Sequence, residues 1–259
     1  MHQLRLFFIA LQFFTRLPIP AWVGFDAAWL QHASRYFPLV GVVVAALTAA
    51  VYAVGILLWN APVAALLSTA AGVYLTGAFH EDGLADTCDG FGGGMTPERV
   101  MDIMKDSRIG TYGAVGMVLV LALKCALLAM LAPAAAIAAL FVAHPLSRLA
   151  AVALIWRLDY ARSEGKAKPM AQHMTSAEFA IASLCACGPA LVAGLTGQAP
   201  WMALGAAAAG AALTACWLGA KFTRRIGGFT GDCLGAVQQV SEVVIYLALA
   251  AAITSVAWQ

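Results

Sequence analysis

The sequence predicts an all-α integral membrane protein, a polytopic bundle of about seven transmembrane helices preceded by an N-terminal interfacial helix. Three observations predict it. Of the 259 residues, 62% are hydrophobic and 11% are charged, whereas soluble domains carry about 25% charged residues. Long stretches contain no charge, and turn signals divide them into segments of membrane-spanning length. The Lys and Arg residues fall mainly between these stretches.

The first 16 residues are expected to form the interfacial helix. An apolar run lies between Arg5 and Arg16 and lacks the small-residue cleavage site of a signal peptide. The two arginines would face lipid headgroups. Four aromatic side chains would enter the acyl boundary: Phe7, Phe8, Phe13 and Phe14.

The remaining apolar blocks divide into spans of about 20 residues. Breaks are predicted at Asn60-Ala61-Pro62, at Ala132-Pro133 and at Gly197-Gln198-Ala199-Pro200. No linker separates a second domain, so residues 1–259 are expected to form a single catalytic domain. The expected spans are 37–59, 63–79, 112–131 and 135–156, two between 179 and 220, and 240–258.

The basic residues predict the orientation of the bundle. Thirteen of the 15 Lys and Arg residues lie in four segments that alternate with three short turns containing none. The N-terminus and the long loops are therefore expected in the cytoplasm, with the C-terminus outside. No basic face typical of a nucleic-acid-binding protein is visible.

Two cations fall inside the predicted spans. Lys124 lies near the outer end of its span, and we expect its long side chain to snorkel outward. Arg148 lies about 12 Å inside the cytoplasmic end of its span, at 1.5 Å per residue. It is expected to face the bundle interior, and an ionisable residue at that depth is a candidate for function.

An acidic segment, residues 80–111, follows the second predicted span and is expected at the cytoplasmic surface. Asp82, Asp86 and Asp89 have i, i+4, i+7 spacing, which places their carboxylates on one face of a helix. Like charges so close need a cation. Magnesium suits oxygen ligands and commonly binds one or two carboxylates together with substrate phosphates. The spacing therefore predicts a magnesium site for a phosphate-bearing substrate.

Two further segments carry candidate site residues. Gly90–Gly94 is expected to be a flexible loop, and Thr96-Pro97 should open a short helix that leads to Asp106 and Arg108. Near the last span, Arg225 precedes a glycine-rich turn that leads to Thr230 and Asp232. Arginine forks match phosphate geometry. Together these features predict phosphoryl transfer at a cytoplasmic cavity.

Five short motifs are spread in order over nearly the whole chain: Phe14–Pro20, His80–Gly90, Met104–Gly110, Ser147-Arg148 and Thr230–Ala236. Together they resemble the motifs of the cobalamin synthase family, the adenosylcobinamide-GDP ribazoletransferases. The resemblance implies a multi-pass enzyme of the bacterial inner membrane that uses Mg²⁺.

The resemblance also implies the substrates and the roles of matched residues. A ribose hydroxyl of α-ribazole, or of its 5′-phosphate, would attack the cobinamide-side phosphorus of adenosylcobinamide-GDP and release GMP. Asp82, Asp86 and Asp89 would hold Mg²⁺, with one of them, or Asp106, as base; Asp82 and Asp106 are the candidate catalytic residues. The implied substrate-binding residues are His80, Ser107, Arg108, Ser147, Arg148, Arg225, Thr230 and Asp232.

Two alternatives remain open at this point. A CDP-alcohol phosphotransferase also places an aspartate cluster at the end of a membrane helix. A transporter would use Lys124 and Arg148 along a pathway, but the outer turns offer few polar residues. The expected partners are the two small-molecule substrates and the lipid bilayer, with no nucleic acid. A homo-oligomer is compatible with the sequence.

Overall fold

A computed structural model describes residues 1–162, 170 and 173–257, and the side chains of these residues up to 252. Two of the predicted cytoplasmic cations, Lys166 and Lys168, lie outside the described residues. Two short 3-10 helices cover Ala21–Val23 and Ser34–Tyr36. The main helices are α1 (His2–Phe14), α2 (Ala27–Ala33), α3 (Phe37–Leu58), α4 (Ala61–Thr76), α5 (Phe79–Gly93), α6 (Pro97–Ile103), α7 (Thr111–Met130), α8 (Pro133–Arg157), α9 (Ser176–Leu195), α10 (Trp201–Ile226) and α11 (Gly231–Ala257).

The predicted membrane bundle is confirmed. Within the described chain, six helical segments are long and apolar enough to span a membrane, and α4 with α5 forms a bent pair that raises the number to seven. Among these candidate spans, α8 and α11 are the most buried inside the protein. They form the centre of the bundle, and the other long helices surround them.

The last helix corrects the predicted span 240–258, because α11 begins at Gly231. The Thr230 hydroxyl accepts a hydrogen bond from the backbone N–H of Cys233 at 3.3 Å and so caps the first turn. Polar residues in the first half of this helix made it look unlike a membrane span in the sequence. In the structure they are buried and form hydrogen bonds with one another: Gln238, Gln239 and Glu242.

A sharp corner separates α4 from α5 and ends the predicted span 63–79 early. The two helix directions differ by 89°. Gly77 and Ala78 at the corner have φ values of +65° and +58°. A positive φ is uncommon for a residue other than glycine, so Ala78 is held there by its surroundings. The acidic motif therefore starts a new helix directly after the corner.

The predicted flexible loop Gly90–Gly94 is wrong, since α5 continues to Gly93. A side chain at Gly90 would collide with Met104, so this glycine lets the segment after α6 pack closely on α5. The predicted start of α6 is confirmed. The Thr96 hydroxyl caps it by accepting from the backbone N–H of Arg99 at 3.3 Å.

Helix α1 packs against the corner. The backbone N–H of Arg16 donates to the carbonyl of Leu75 at 2.9 Å, and its guanidinium lies 4.9 Å from the ring centre of Tyr74. Phe14 is buried against Phe37 and Phe79, which corrects its predicted position in the acyl boundary. Placement of α1 in the membrane interface stays a prediction.

Glycines set the closest helix crossings. A Cβ at Gly83 of α5 would lie 2.9 Å from the carbonyl oxygen of Asp232, and one at Gly235 of α11 would lie 3.0 Å from that of His80. At the crossing of α3 and α8, a Cβ at Gly41 would lie 2.7 Å from the carbonyl oxygen of His144. These contacts require small residues, as is common between membrane helices.

Candidate active site

The acidic face of α5 gathers a further carboxylate from α11. Along α5, Asp82 is exposed, Asp86 is half-buried and Asp89 is buried. Because Gly83 packs on the backbone of Asp232, the start of α11 lies against this face. The charges of Asp82, Asp89 and Asp232 all act on Asp86. Two predicted site segments thus meet, and they concentrate negative charge at one place.

Asp89 has hydrogen-bond partners of its own. Its two carboxylate oxygens accept from the backbone N–H groups of Gly110 at 2.7 Å and Gly113 at 2.8 Å. A side chain at either glycine would collide with the Asp89 carboxylate. Asp89 therefore attaches α5 to the N-terminal end of α7, and its predicted role as a metal ligand stays a prediction.

Arg162 faces the acidic cluster from the segment that follows α8. Its guanidinium lies 2.9 Å from the Asp232 carboxylate, and its side chain is 15% exposed. The segment after α8 pairs with the turn before α11, since Ala161 donates to the Phe229 carbonyl and Phe229 to the Asp159 carbonyl. This pairing places Arg162. No motif marked it, because its partner lies far along the chain.

The donor set fits magnesium shared with a phosphate. Among the described residues, no three His, Cys, Asp or Glu side chains are arranged as a complete metal site. Magnesium does not require one, because it keeps waters and binds one or two carboxylates plus substrate phosphates. The accessible Asp82 and Asp86 supply such oxygens. Asp86 lies among other negative charges, and the positive charge of Arg162 offsets them only in part.

Arg148 lies in the bundle interior, as predicted, with 4% of its surface exposed. It donates to the carbonyl of His144 at 2.9 Å, while its Nε has no hydrogen-bond partner in the described part of the protein. His80 is also buried, with its ring stacked on that of Phe14. Both side chains line small cavities inside the bundle rather than an open surface.

A buried ion pair was missed by the sequence reasoning. Lys124 is 5% exposed and lies 3.1 Å from the Glu242 carboxylate, so the expectation that it snorkels outward is wrong. Glu242 also accepts from Gln238 at 2.7 Å and from the Tyr246 hydroxyl at 3.1 Å. A charge buried in a membrane bundle needs such partners. The sequence did contain a signal for this pair, because Lys124 and Glu242 are opposite charges in two separate apolar spans.

This pair continues as a polar network toward the acidic motif. Gln238 donates to the Ser147 hydroxyl at 3.0 Å as well as to Glu242. Gln239 donates to Gln238 at 2.9 Å and to Glu81 at 2.9 Å. The network surrounds a small cavity that Arg148, His80 and Lys124 also line. It joins the interior of the bundle to the helix that carries the aspartates.

Asp106 and Arg108 form a surface pair. The Arg108 guanidinium donates to Asp106 at 2.7 Å and 3.0 Å. These hydrogen bonds lower the pKa of Asp106 to about 2. Ser107 between them is exposed. In the described structure the charges acting most on Asp106 come from Arg108 and Arg99, not from the α5 aspartates.

Arg225 lies at the far end of α5. It donates to the carbonyl of Gly94, and its guanidinium is 5.7 Å from the ring centre of Phe91. Its predicted neighbour Asp232 pairs with Arg162 instead. Arg225 therefore lies near the C-terminal end of α5, whereas Asp232 lies near its N-terminal half, at Gly83.

The sequence model of the cobalamin-5-phosphate synthase (CobS) family matches residues 6–250. The chain belongs to this family. Relatives of this synthase include the adenosylcobinamide-GDP ribazoletransferases of three bacteria. That of Leptothrix cholodnii is 48% identical over 254 residues, 95% of each chain. That of Shewanella frigidimarina is 47% identical over 97% of this chain and 96% of its own. That of Ralstonia nicotianae is 49% identical over 95% of each.

No solved structure matches this member of the synthase family. Because the match covers nearly the whole chain, it confirms the family that the motifs indicated and the prediction of a transferase in cobalamin biosynthesis. It decides against the CDP-alcohol phosphotransferase and transporter alternatives.

Proposed function

We propose that the chain joins adenosylcobinamide-GDP to α-ribazole, or to its 5′-phosphate, in the last step of nucleotide-loop assembly. The products are adenosylcobalamin, or its 5′-phosphate, and GMP. The nearly full-length similarity to adenosylcobinamide-GDP ribazoletransferases carries this proposal. The aspartates of α5 and α11, beside buried cavities, support it as a site for phosphoryl transfer.

In the proposed reaction, a ribose hydroxyl oxygen forms a bond to the cobinamide-side phosphorus. The bond from that phosphorus to the bridging diphosphate oxygen breaks, and GMP leaves with the electron pair. The hydroxyl proton passes to a carboxylate. Asp82 and Asp86 would hold a magnesium ion, whose charge would neutralise that of the phosphate, with Asp89 behind them as the third predicted ligand.

Asp82 is the proposed base. Its side chain is exposed at the acidic face, where a substrate hydroxyl has access. Asp106, the other candidate, has a pKa of about 2 because Arg108 donates hydrogen bonds to it, and this makes it a weak base. We assign the Asp106 and Arg108 pair to the binding of phosphate rather than to proton transfer.

Other polar residues are proposed to bind the substrates. Arg225, in the last turn of α10 and beside the C-terminal end of α5, supplies positive charge for a phosphate. Asp232 lies beside α5, where Arg162 pairs with its carboxylate, and Thr230 caps the turn of α11 that carries Asp232. Buried His80 and Arg148 reach the substrates only through the cavities that they line. Ser147 is fully buried and would act through Gln238, which donates a hydrogen bond to its hydroxyl and lines the same cavities.

We propose an inner-membrane location with the N-terminus and the site in the cytoplasm and the C-terminus outside. The alternating basic segments support this orientation. The chain would act as one catalytic domain, residues 1–259, with 80–111 as its acidic cytoplasmic segment.

The test uses full-length protein purified into lipid nanodiscs, with adenosylcobinamide-GDP and α-ribazole, with and without Mg²⁺. We expect equal amounts of GMP and a corrinoid phosphodiester product, and loss of both after chelation. Failure to release GMP in the presence of both substrates and Mg²⁺ would contradict the proposal. Turnover that persists after chelation would contradict the magnesium assignment alone.

A further inference from the structure

A groove runs between α8 and α10 on the outside of the bundle. It has a volume of about 500 Å³, within the range of about 300–1,000 Å³ typical of small-molecule sites. Both helices are candidate membrane spans, and Cys216 and Ala220 are exposed along the groove, so its open side faces lipid. An empty groove would forfeit the packing contacts of its walls. Hydrocarbon from the bilayer is therefore expected to fill it.

One end of this groove is positively charged. Arg157 and Arg224 line it, and each lies in the last turn of its helix, α8 and α10 respectively. Both side chains are exposed. The ends of membrane spans lie near the lipid headgroups, whereas the other residues that line the groove carry no charge. The groove thus combines a cationic end with an uncharged length, which complements an anionic headgroup and its acyl chain.

The two arginines keep most of their donors available. In the described parts of the chain, no carboxylate forms an ion pair with either of them. The Arg157 guanidinium lies 5.0 Å from the ring centre of Trp156, and the Nε of Arg224 donates to the carbonyl of Ala220 at 3.3 Å. A guanidinium has five N–H donors, and their fork matches the geometry of phosphate. A phosphate at this end of the groove would therefore find hydrogen bonds and opposite charge together.

We propose that this groove binds one anionic phospholipid, with its phosphate between Arg157 and Arg224 and an acyl chain along α8 and α10. Basic pockets between membrane helices on the cytoplasmic side are typical sites for anionic headgroups. The inference uses the proposed orientation, which places both arginines in the cytoplasmic leaflet. The lipid would lie beside Leu158, directly before the segment that pairs with the turn preceding α11 and carries Arg162.

A second copy of the chain fits this groove poorly. A two-fold dimer uses the same surface of both copies. With its axis along the membrane normal, such a dimer would bring Arg157 and Arg224 of one copy against the same arginines of the other. Like charges in an interface are unfavourable. The charge of the groove therefore favours an anionic lipid over self-association.

The first test removes the charge. Native mass spectrometry of the full-length protein in detergent measures binding of phosphatidylglycerol and of phosphatidylcholine with the same acyl chains. Wild-type protein should bind its first phosphatidylglycerol at least tenfold more tightly than phosphatidylcholine. The double variant Arg157→Gln with Arg224→Gln should bind the two lipids equally. The matched control, Arg99→Gln with Lys105→Gln, removes two exposed cations outside the groove and should keep the preference.

The second test fills the groove. Cys216 is exposed and lines it, so Cys216→Trp occupies the space of the acyl chain without entering the core. The matched control is Cys187→Trp on α9, which is also exposed and lies outside this groove. We expect Cys216→Trp to weaken binding of phosphatidylglycerol at least fivefold, and the control to change it less than twofold. Thermal unfolding checks that both variants are folded.

Three outcomes would overturn the lipid assignment. The first is equal binding of the two lipids by wild-type protein, and the second is an unaltered preference after both arginines are replaced. The third is a lipid-free dimer in the mass spectra that Cys216→Trp dissociates, because the occupant would then be a second copy of the chain. None of these measurements depends on GMP release, so the proposed function is tested independently.

Discussion

The three aspartates of α5 differ in their surroundings although they share one spacing. Asp82 is exposed, whereas both oxygens of Asp89 accept from backbone N–H groups at the start of α7. Spacing alone indicated three equivalent ligands. Their different partners suggest that substitutions will affect different properties.

We expect Asp82→Asn to lower kcat by about 10²-fold or more, because a positioned base contributes about 10²–10⁴-fold. Its stability should stay near that of wild type, since the side chain is exposed. GMP release and thermal unfolding in nanodiscs measure the two effects. Full activity in Asp82→Asn would rule out its role as base.

Asp89→Asn should instead destabilise the protein. An amide cannot accept from both Gly110 and Gly113 in the same orientation, and a hydrogen bond to a charged group contributes about 1.5–3 kcal/mol. Denaturant unfolding in detergent measures the loss. An unchanged unfolding midpoint would mean that Asp89 does not attach α5 to α7.

The buried pair of Lys124 and Glu242 allows a double-mutant cycle. Glu242→Gln leaves Lys124 buried without its counter-ion, which should cost about 3–5 kcal/mol. Adding Lys124→Met should recover part of that loss. The exposed Lys105→Met serves as the control and should change stability by less than about 0.5 kcal/mol. Additive effects in the cycle would contradict a direct interaction.

At the scale of elements, one crossing assembles the site. Helices α5 and α11 approach each other at Gly83 and Gly235, and this contact places Asp232 against the aspartates of α5. The helical period of the acidic motif was readable from the sequence, as was the cap of α6 at Thr96. The corner at Ala78 was not, because a positive φ at alanine is imposed by surrounding contacts.

We expect Gly83→Ala to destabilise the protein by about 1–3 kcal/mol, as overpacking commonly does, and to reduce activity. The added Cβ would lie 2.9 Å from the carbonyl oxygen of Asp232, so α5 and α11 must separate. Gly205→Ala is the matched control, because nothing lies within 4 Å of its Cβ position. Comparable losses of stability and activity in the two variants would show that the crossing of α5 and α11 does not require glycine at position 83.

At the scale of the whole molecule, the orientation in the membrane can be tested with reporter fusions. The alternation of basic segments predicts a cytoplasmic N-terminus and an external C-terminus. Alkaline phosphatase fused after Gln259 should therefore be active in cells, and green fluorescent protein fused there should be dark. The opposite result would place the acidic face on the outer side.

The sequence by itself determined the helical bundle, the approximate number of spans and the acidic helix face. These features follow from local physics, since a bilayer excludes charge over about 20 residues and a helix repeats every 3.6. The five motifs also sufficed to indicate the family, because each is contiguous in the chain.

Only the tertiary structure decided which polar groups meet. It paired Lys124 with Glu242, placed Arg162 beside Asp232, and buried Arg148 in the interior of the bundle. These contacts join residues from different helices and loops, so no local period or spacing encodes them. They depend on close approach at small residues and on the need of every buried charge for a partner.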